Sequence, residues 1–325
     1  MPGGTTRTTV YFPPYPLYVA EAKGCRLTDV DGVSRLDLIG NYSATVLGHQ
    51  HPAIRSALHA QIECGTAFAA ANPYEVELAS ELCARVPSLE SVRFTSSGTE
   101  ATMFALRLAR VATGRTRMAK FEGGYHGTHD FAEVSVHPGP EHWGSIDAPS
   151  SVPESRGTHP AGVANTLVLP FNDIGVTAKL LEENRHTVGA VIVEPVLGVA
   201  GMIPPEPDFL GQLRELTLGL GMVLIFDEVI TLRLAHGGAQ AYYQVIPDLT
   251  TMGKIIGGGL PVAAFGGRDG LMGLLDARNS GFTPQGGTFN GYPLGMVAGL
   301  AQMRELQPAL IEDLNVRPMT TYIVM

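Results

Sequence analysis

The chain has 325 residues, 45% of them hydrophobic and 16% charged, with a formal net charge of −9. That composition supports a large globular core and excludes a disordered chain. An acidic balance without basic clusters argues against nucleic acid or an anionic membrane as the main partner.

The opening residues, "MPGGTTRTTVYFPPYP", lack the apolar run of a signal peptide. No stretch reaches the roughly 18 apolar residues of a membrane span. Cys25, Cys64 and Cys83 fall in no CxxC pair and no metal-ligand spacing, so a reduced, cytoplasmic setting without a metal site is expected. "PLYVAEAKGCRLTDVDGVSRLDLIG" reads as a meander of short strands with a turn at Asp31-Gly32. From His51 the apolar spacing turns helical, in "HPAIRSALHAQIE" and "NPYEVELASELCARV". Beyond them, the apolar runs "SVRFTS", "RMAKF", "VGAVIVEPV" and "MVLIFDEVI" alternate with amphipathic patterns such as "TEATMFALRLARVAT" and "PDFLGQLRELTLGLG". This alternation predicts an α/β fold whose mostly parallel sheet is covered by helices on both faces. A Pro-, Ser- and Gly-rich stretch from about Val134 to Gly162 carries the only tryptophan, Trp143. A loop of that length inside a compact domain is expected to be functional or interface-forming. "LGMVAGLAQMRELQPALIEDLN" reads as one long helix before the chain ends in "VRPMTTYIVM".

Ligands of open parallel sheets bind beyond the carboxyl ends of the strands, and four loops carry polar residues at such places. "FTSSGTEA" puts Ser97, Gly98 and Thr99 at a helix N-terminus, which suits a phosphate, although a simple capping turn is the commoner use of such a stretch. "FEGGYHG" has glycines that would let Tyr125 or His126 lie flat on a planar ligand, or make a plain glycine turn. "MVLIFDEV" ends an apolar strand in two carboxylates pointing to opposite faces. Asp227 there needs a cationic partner such as a protonated ring nitrogen, or else caps a helix beside a solvated Glu228. "LTTMGKIIGGGLP" holds Lys254 before three glycines. Apolar walls there would depress its pKa and leave a nucleophilic amine; a solvated surface lysine is the alternative. Each signal alone is weak. Together, in this order, they are the parts that a pyridoxal 5'-phosphate (PLP) site requires: cradle, stacking aromatic, acid and amine.

"TSSGTEA", "GGYHG", "VEPV", "FDEV", "LTTMGKIIGGGLPVAAFGG" and "GGTFNGYPLG" resemble the class III aminotransferases of fold type I. That group includes glutamate-1-semialdehyde aminomutase, and within it the N-terminal stretch and "DEVITLRLAHGG" look most like the β-phenylalanine aminotransferase branch. The resemblance implies a seven-stranded sheet. It also implies an N-terminal segment of a small domain over 1–50, a PLP-binding domain over 51–295 and a connecting helix with a shortened C-terminal segment over 296–325. Ser97, Gly98 and Thr99 would bind phosphate, Tyr125 and Val229 would sandwich the ring, and His126 would join them at the cofactor. Asp227 would meet the pyridine nitrogen, Glu194 would join the hydrogen-bond network and Lys254 would carry the aldehyde. Thr288 would reach the phosphate of a partner subunit in a homodimer, and Arg7 would contact a substrate carboxylate. The family pattern continues for on the order of 100 residues past the "GGTFN" helix, and "TTYIVM" has no counterpart in it. The implied function is transamination from a β-amino acid or related amine to a keto acid. Aminomutase action, or a shortened PLP-binding chain with little activity, are the alternatives.

Overall fold

Apolar alternation places each element. The computed structural model describes residues 1–323, with side chains described as far as Val316. Strands β1 (Val19–Lys23), β2 (Arg26–Asp29) and β3 (Ser34–Leu36) form the expected antiparallel meander. Its turn is held by Asp29, whose Oδ1 accepts the N–H groups of Asp31 and Val33 at 3.1 and 2.8 Å.

The main sheet is built from β4 (Ser91–Thr95), β5 (Arg117–Phe121), β8 (Thr166–Leu169), β9 (Val188–Val193), β10 (Val223–Asp227), β11 (Leu249–Met252) and β12 (Ala263–Gly267). A separate pair of two-residue strands, β6 (Gly144–Ser145) and β7 (Ala148–Pro149), lies in the long loop. The seven strands run in the order β4-β12-β11-β10-β9-β5-β8. From β11 to β8 every neighbouring pair is parallel, whereas β12 is antiparallel to both β11 and β4. Only residues 253–262 join β11 to β12, too few for the crossover that a parallel partner requires. The glycines after Lys254 therefore reverse the chain, with φ +59 at Gly258 and +89 at Gly259.

Successive strand residues face opposite layers. Ala190, Ile192, Val223 and Ile225 pack against helix Gly98–Thr113. Val191, Val193, Leu224 and Phe226 pack against helices Ile174–Glu183 and Phe209–Gly219. A third cluster seats helices Pro73–Arg85 and Pro293–Glu305 around Met252, Ile255 and Ile256, so the residues that follow Lys254 are anchored in the core. Among the described residues no helix is long and apolar enough to cross a membrane.

One expectation fails. The single long C-terminal helix is two, Pro293–Glu305 and Pro308–Ile323. Pro308 has no N–H for the helical ladder and disfavours helical backbone at the residue before it, so the chain breaks at Leu306 (φ −77, ψ 64). The last two residues of "TTYIVM", 324–325, lie outside the described residues. The Pro-rich stretch is not featureless: it holds the β6–β7 pair, a bridge from Val134 to Pro153 and helix Pro160–Ala164.

Candidate active site

Asp227 ends β10 on the face of Val223 and Ile225, and is 4% exposed. A carboxylate so deeply placed needs donors, and three surround it. Nδ1 of His126 lies 2.8 Å from Oδ2, while Oδ1 accepts the Thr251 hydroxyl at 3.1 Å and the Val229 N–H at 3.2 Å. Thr251 arrives because β11 pairs in parallel with β10, with Asp227 opposite Thr251. Glu228 points the other way. It is fully buried, not solvated, and accepts the N–H groups of Ala239 and Gln240, the Gln240 side-chain amide and the Thr231 hydroxyl. Glu228 thereby ties down the segment that connects Asp227 to Lys254.

Ser97 caps helix Gly98–Thr113, its Oγ accepting the Glu100 N–H at 3.2 Å. The Glu100 carboxylate answers by accepting the Ser96 N–H at 3.0 Å. The two readings of this turn are compatible, since a capped helix N-terminus is also one that can receive an anion. A Cβ on Gly98 would come within 3.3 Å of Val229 Cγ2, so this turn lies directly against the second residue beyond the Asp227 strand. Gly127 (φ +93) closes the other side, and a Cβ on it would lie 2.6 Å from Thr99 Cα. The contact is completed by the Thr128 N–H, which donates to Thr99 Oγ1 at 3.2 Å. Gly127→Ala should therefore lower stability by about 2 kcal/mol and loosen phosphate binding; its melting temperature and PLP affinity both test this.

Lys254 has φ +47, a left-handed conformation that a non-glycine residue adopts at a cost of about 1 kcal/mol or more. Burial of Ile255 and Ile256 (2% and 0% exposed) holds it there. Burial pulls the Lys254 amine below its ordinary pKa, and the nearby charges of Asp227 and Glu194 oppose that pull. The amine is thus within electrostatic reach of both carboxylates. Glu194 follows β9, is 3% exposed, and accepts the N–H groups of Tyr125 at 2.8 Å and Gly198 at 3.2 Å. Burial raises its carboxyl above the usual range, partly offset by His126.

The structure therefore gathers Gly98, Thr99, Tyr125, His126, Glu194, Asp227, Val229 and Lys254 at the carboxyl ends of the strands. Ser97 caps the helix that carries Gly98. Thr288 is exposed on the loop whose Asn290 Oδ1 accepts the Ser96 hydroxyl at 3.2 Å, so that loop borders the cradle. Arg7 lies farther out. It donates to Asn41 Oδ1 at 3.1 Å and sits 5.8 Å from the Tyr42 ring centroid. The turn bearing Asn41 leads to Ala44, whose carbonyl shares the Gln302 amide with that of Ile255, next to Lys254. Sequence reasoning missed Thr251 and Gly127. The strand "LTTM" ahead of Lys254 was a signal for Thr251, but only the β10–β11 register places its hydroxyl on Asp227. Lys120 was missed as well. It is fully buried on β5, and burial holds its amine at about 7 against an opposing pull from Glu194, Glu154 and Glu122.

Lys120 makes stability pH-dependent. Between about 7, its folded value, and 10.5, its ordinary one, the unfolded chain binds the extra proton. Stability should then rise as pH rises through that window. Urea midpoints at pH 7 and 9.5 should show that rise, and Lys120→Met should flatten it.

These residues fit PLP on the structure's own terms. Gly98 and Gly127 let the helix N-terminus close onto Val229 and the loop after Tyr125 onto Thr99, an acid with three donors ends a core strand, and a part-buried amine lies within electrostatic reach of it. Buried ring nitrogen Nε2 of His126 and amide nitrogen Nδ2 of Asn290 have no hydrogen-bond partner among the described residues.

Such a site on such a sheet defines a fold type I PLP-dependent transferase. Residues 10–316 match the family model described as aminotransferase class-III, and the chain belongs to that family; it is a PLP-dependent enzyme. It is 44% identical over 316 residues to the glutamate-1-semialdehyde 2,1-aminomutase of Methanothermobacter thermautotrophicus, covering 97% of this chain and 73% of that protein. Among solved structures, an omega-transaminase from Sphaerobacter thermophilus is 49% identical with a TM-score of 0.90, covering 95% of this chain and 70% of the other. A transaminase with PLP bound is 39% identical with a TM-score of 0.87, covering 95% and 71%. The beta-phenylalanine aminotransferase of Variovorax paradoxus is also 39% identical, with a TM-score of 0.82, covering 93% and 65%.

Proposed function

We propose that the chain moves an amino group between adjacent carbons of one substrate, as an aminomutase of the glutamate-1-semialdehyde type. The reading rests on the convergence of Lys254, the His126–Asp227 pair and Glu194 on one site, in a chain 44% identical to such an enzyme over 97% of this chain and 73% of that enzyme. The expectation of β-amino-acid transamination is the less well supported, since its namesake is 39% identical. Transamination of an ω-amine stands as a second reading, carried by the 49% identity to the omega-transaminase.

When bound, PLP supplies an aldehyde that links to amines and a ring that accepts electrons from the reacting carbon. Ser97, Gly98 and Thr99 would hold its phosphate at the helix N-terminus. Tyr125 and Val229 would flank the ring, and Asp227, hydrogen-bonded by His126, Thr251 and the Val229 N–H, would hold the ring nitrogen's proton. Lys254 Nζ would anchor the aldehyde and, once released, would serve as the base and acid that moves a proton to and from the reacting carbon. Glu194 fixes the Tyr125 backbone. Arg7 receives a substrate carboxylate. Thr288 serves the cradle of a second copy, which makes the working unit a homodimer.

The deciding experiment supplies glutamate 1-semialdehyde without any keto acid. Turnover to the isomer with amino and carbonyl groups exchanged supports the aminomutase reading. No turnover, with release of a free carbonyl product when an ω-amine and a keto acid are supplied instead, supports the transaminase.

A further inference from the structure

Lys120 heads the largest fully buried side chains of the molecule, and none of the chemistry above uses it. Its Nζ donates to the carbonyls of Val134 at 2.5 Å and Ser135 at 3.5 Å. A buried lysine bonded to carbonyls, with no carboxylate in hydrogen-bond contact, is costly and calls for a reason.

Those carbonyls belong to a knot. Ser135 is 1% exposed and left-handed, with φ +48. Its N–H donates to Val152 O at 2.7 Å, and its hydroxyl donates to Ser150 O at 2.8 Å while accepting the Val152 N–H at 2.9 Å. Its carbonyl, the second acceptor of Lys120, also accepts the Gly123 N–H at 2.9 Å. Gly123 (φ +76) opens the corner that runs through Gly124 to Tyr125, and the Tyr125 N–H is the one that reaches Glu194. One carbonyl therefore joins the lysine, the start of the long Pro-rich segment and the corner that carries the aromatic ring.

We propose that Lys120 is a positioning residue: by clamping the Val134–Ser135 carbonyls onto the Gly123–Gly124 corner, it sets Tyr125 over the cofactor and anchors the 136–158 segment. The consequence for Tyr125 rests on the PLP reading above, whereas the anchoring does not. Two buried bonds to an amine hold the left-handed serine that its own side-chain bonds alone would leave strained.

Lys120→Met keeps the length and apolar stem and removes the donor. Arg156 is exposed and is the one Lys or Arg between residues 121 and 178, so tryptic cleavage after it reports on the anchored segment without any cofactor. The clamp predicts cleavage of the apo-variant at least tenfold faster than wild type. In the PLP-loaded protein, the visible circular dichroism of the bound cofactor should fall to less than half at unchanged absorbance, because the ring loses its fixed stacking partner. Wild-type cleavage overturns the anchoring. Fast cleavage with unchanged dichroism overturns the link to Tyr125. Failure of the wild type to bind PLP, with fast cleavage of the variant, sinks the PLP reading and leaves the anchor standing. Should Lys120→Met not melt cooperatively, Ser135→Ala, which cuts the knot from its other side, is read by the same two measurements with the same meanings.

Discussion

Lys254→Ala should lower turnover by about 10,000-fold or more and abolish the visible absorbance that depends on the lysine. Among the described residues, the amine is the only nitrogen nucleophile placed within electrostatic reach of both Asp227 and Glu194 and left partly accessible. The fully buried Lys120 cannot replace it. The variant should fold, because Ile255, Ile256 and Met252 seat the turn in the core independently of the lysine. Lys254→Arg separates charge from chemistry: guanidinium keeps the positive charge between the two carboxylates but is not a free nucleophile at neutral pH. It should be as inactive as the alanine variant. Single-turnover rates with substrate and PLP make the test; residual activity above one part in a hundred in either variant would show that the amine is not the reacting group.

Asp227 carries the second large effect, and its two obvious variants should part company. Asp227→Asn keeps the shape and one acceptor oxygen, so His126 and Thr251 retain much of their bonding and the melting temperature should change little. It loses the charge that keeps the ring nitrogen protonated, so turnover should fall by about 100- to 1,000-fold. Asp227→Ala also strands the His126 ring, the Thr251 hydroxyl and the Val229 N–H in a site only 4% exposed. That should cost about 2–4 kcal/mol of stability on top of at least as great a loss of activity. Kinetics and thermal melts on the pair decide the matter: equal activity of Asp227→Asn and wild type would remove the carboxylate from the mechanism.

Much of the site was legible in the sequence because its parts sit at strand ends, where short-range pattern is informative. A fully apolar run ending in Asp227-Glu228 predicts both the strand and the opposite directions of the two acids, and alternation alone delivers that. The buried state of Glu228 was not legible, since its donors come from residues 231–240, folded back by Gly238 (φ +79). Pro308, by contrast, was in plain view within an otherwise helical pattern, and weighing its missing N–H would have split the last helix correctly. Lys120 gave no signal. A lysine in "RMAKF" looks like an edge residue facing water until the return of the 134–152 segment brings two carbonyls onto it.

Sequence by itself determined the class of the protein and the layered sheet and singled out the acid and amine of the candidate site, since these depend on residue type, spacing and alternation along short stretches. Tertiary structure alone decided which groups meet. Parallel register set Thr251 on Asp227, two loops 28 residues apart brought Thr99 against Gly127, and a tight return set Ser135 on Gly123, two residues from Tyr125. Such pairings depend on how the chain closes through space, and closure is governed by packing between elements that local pattern does not encode.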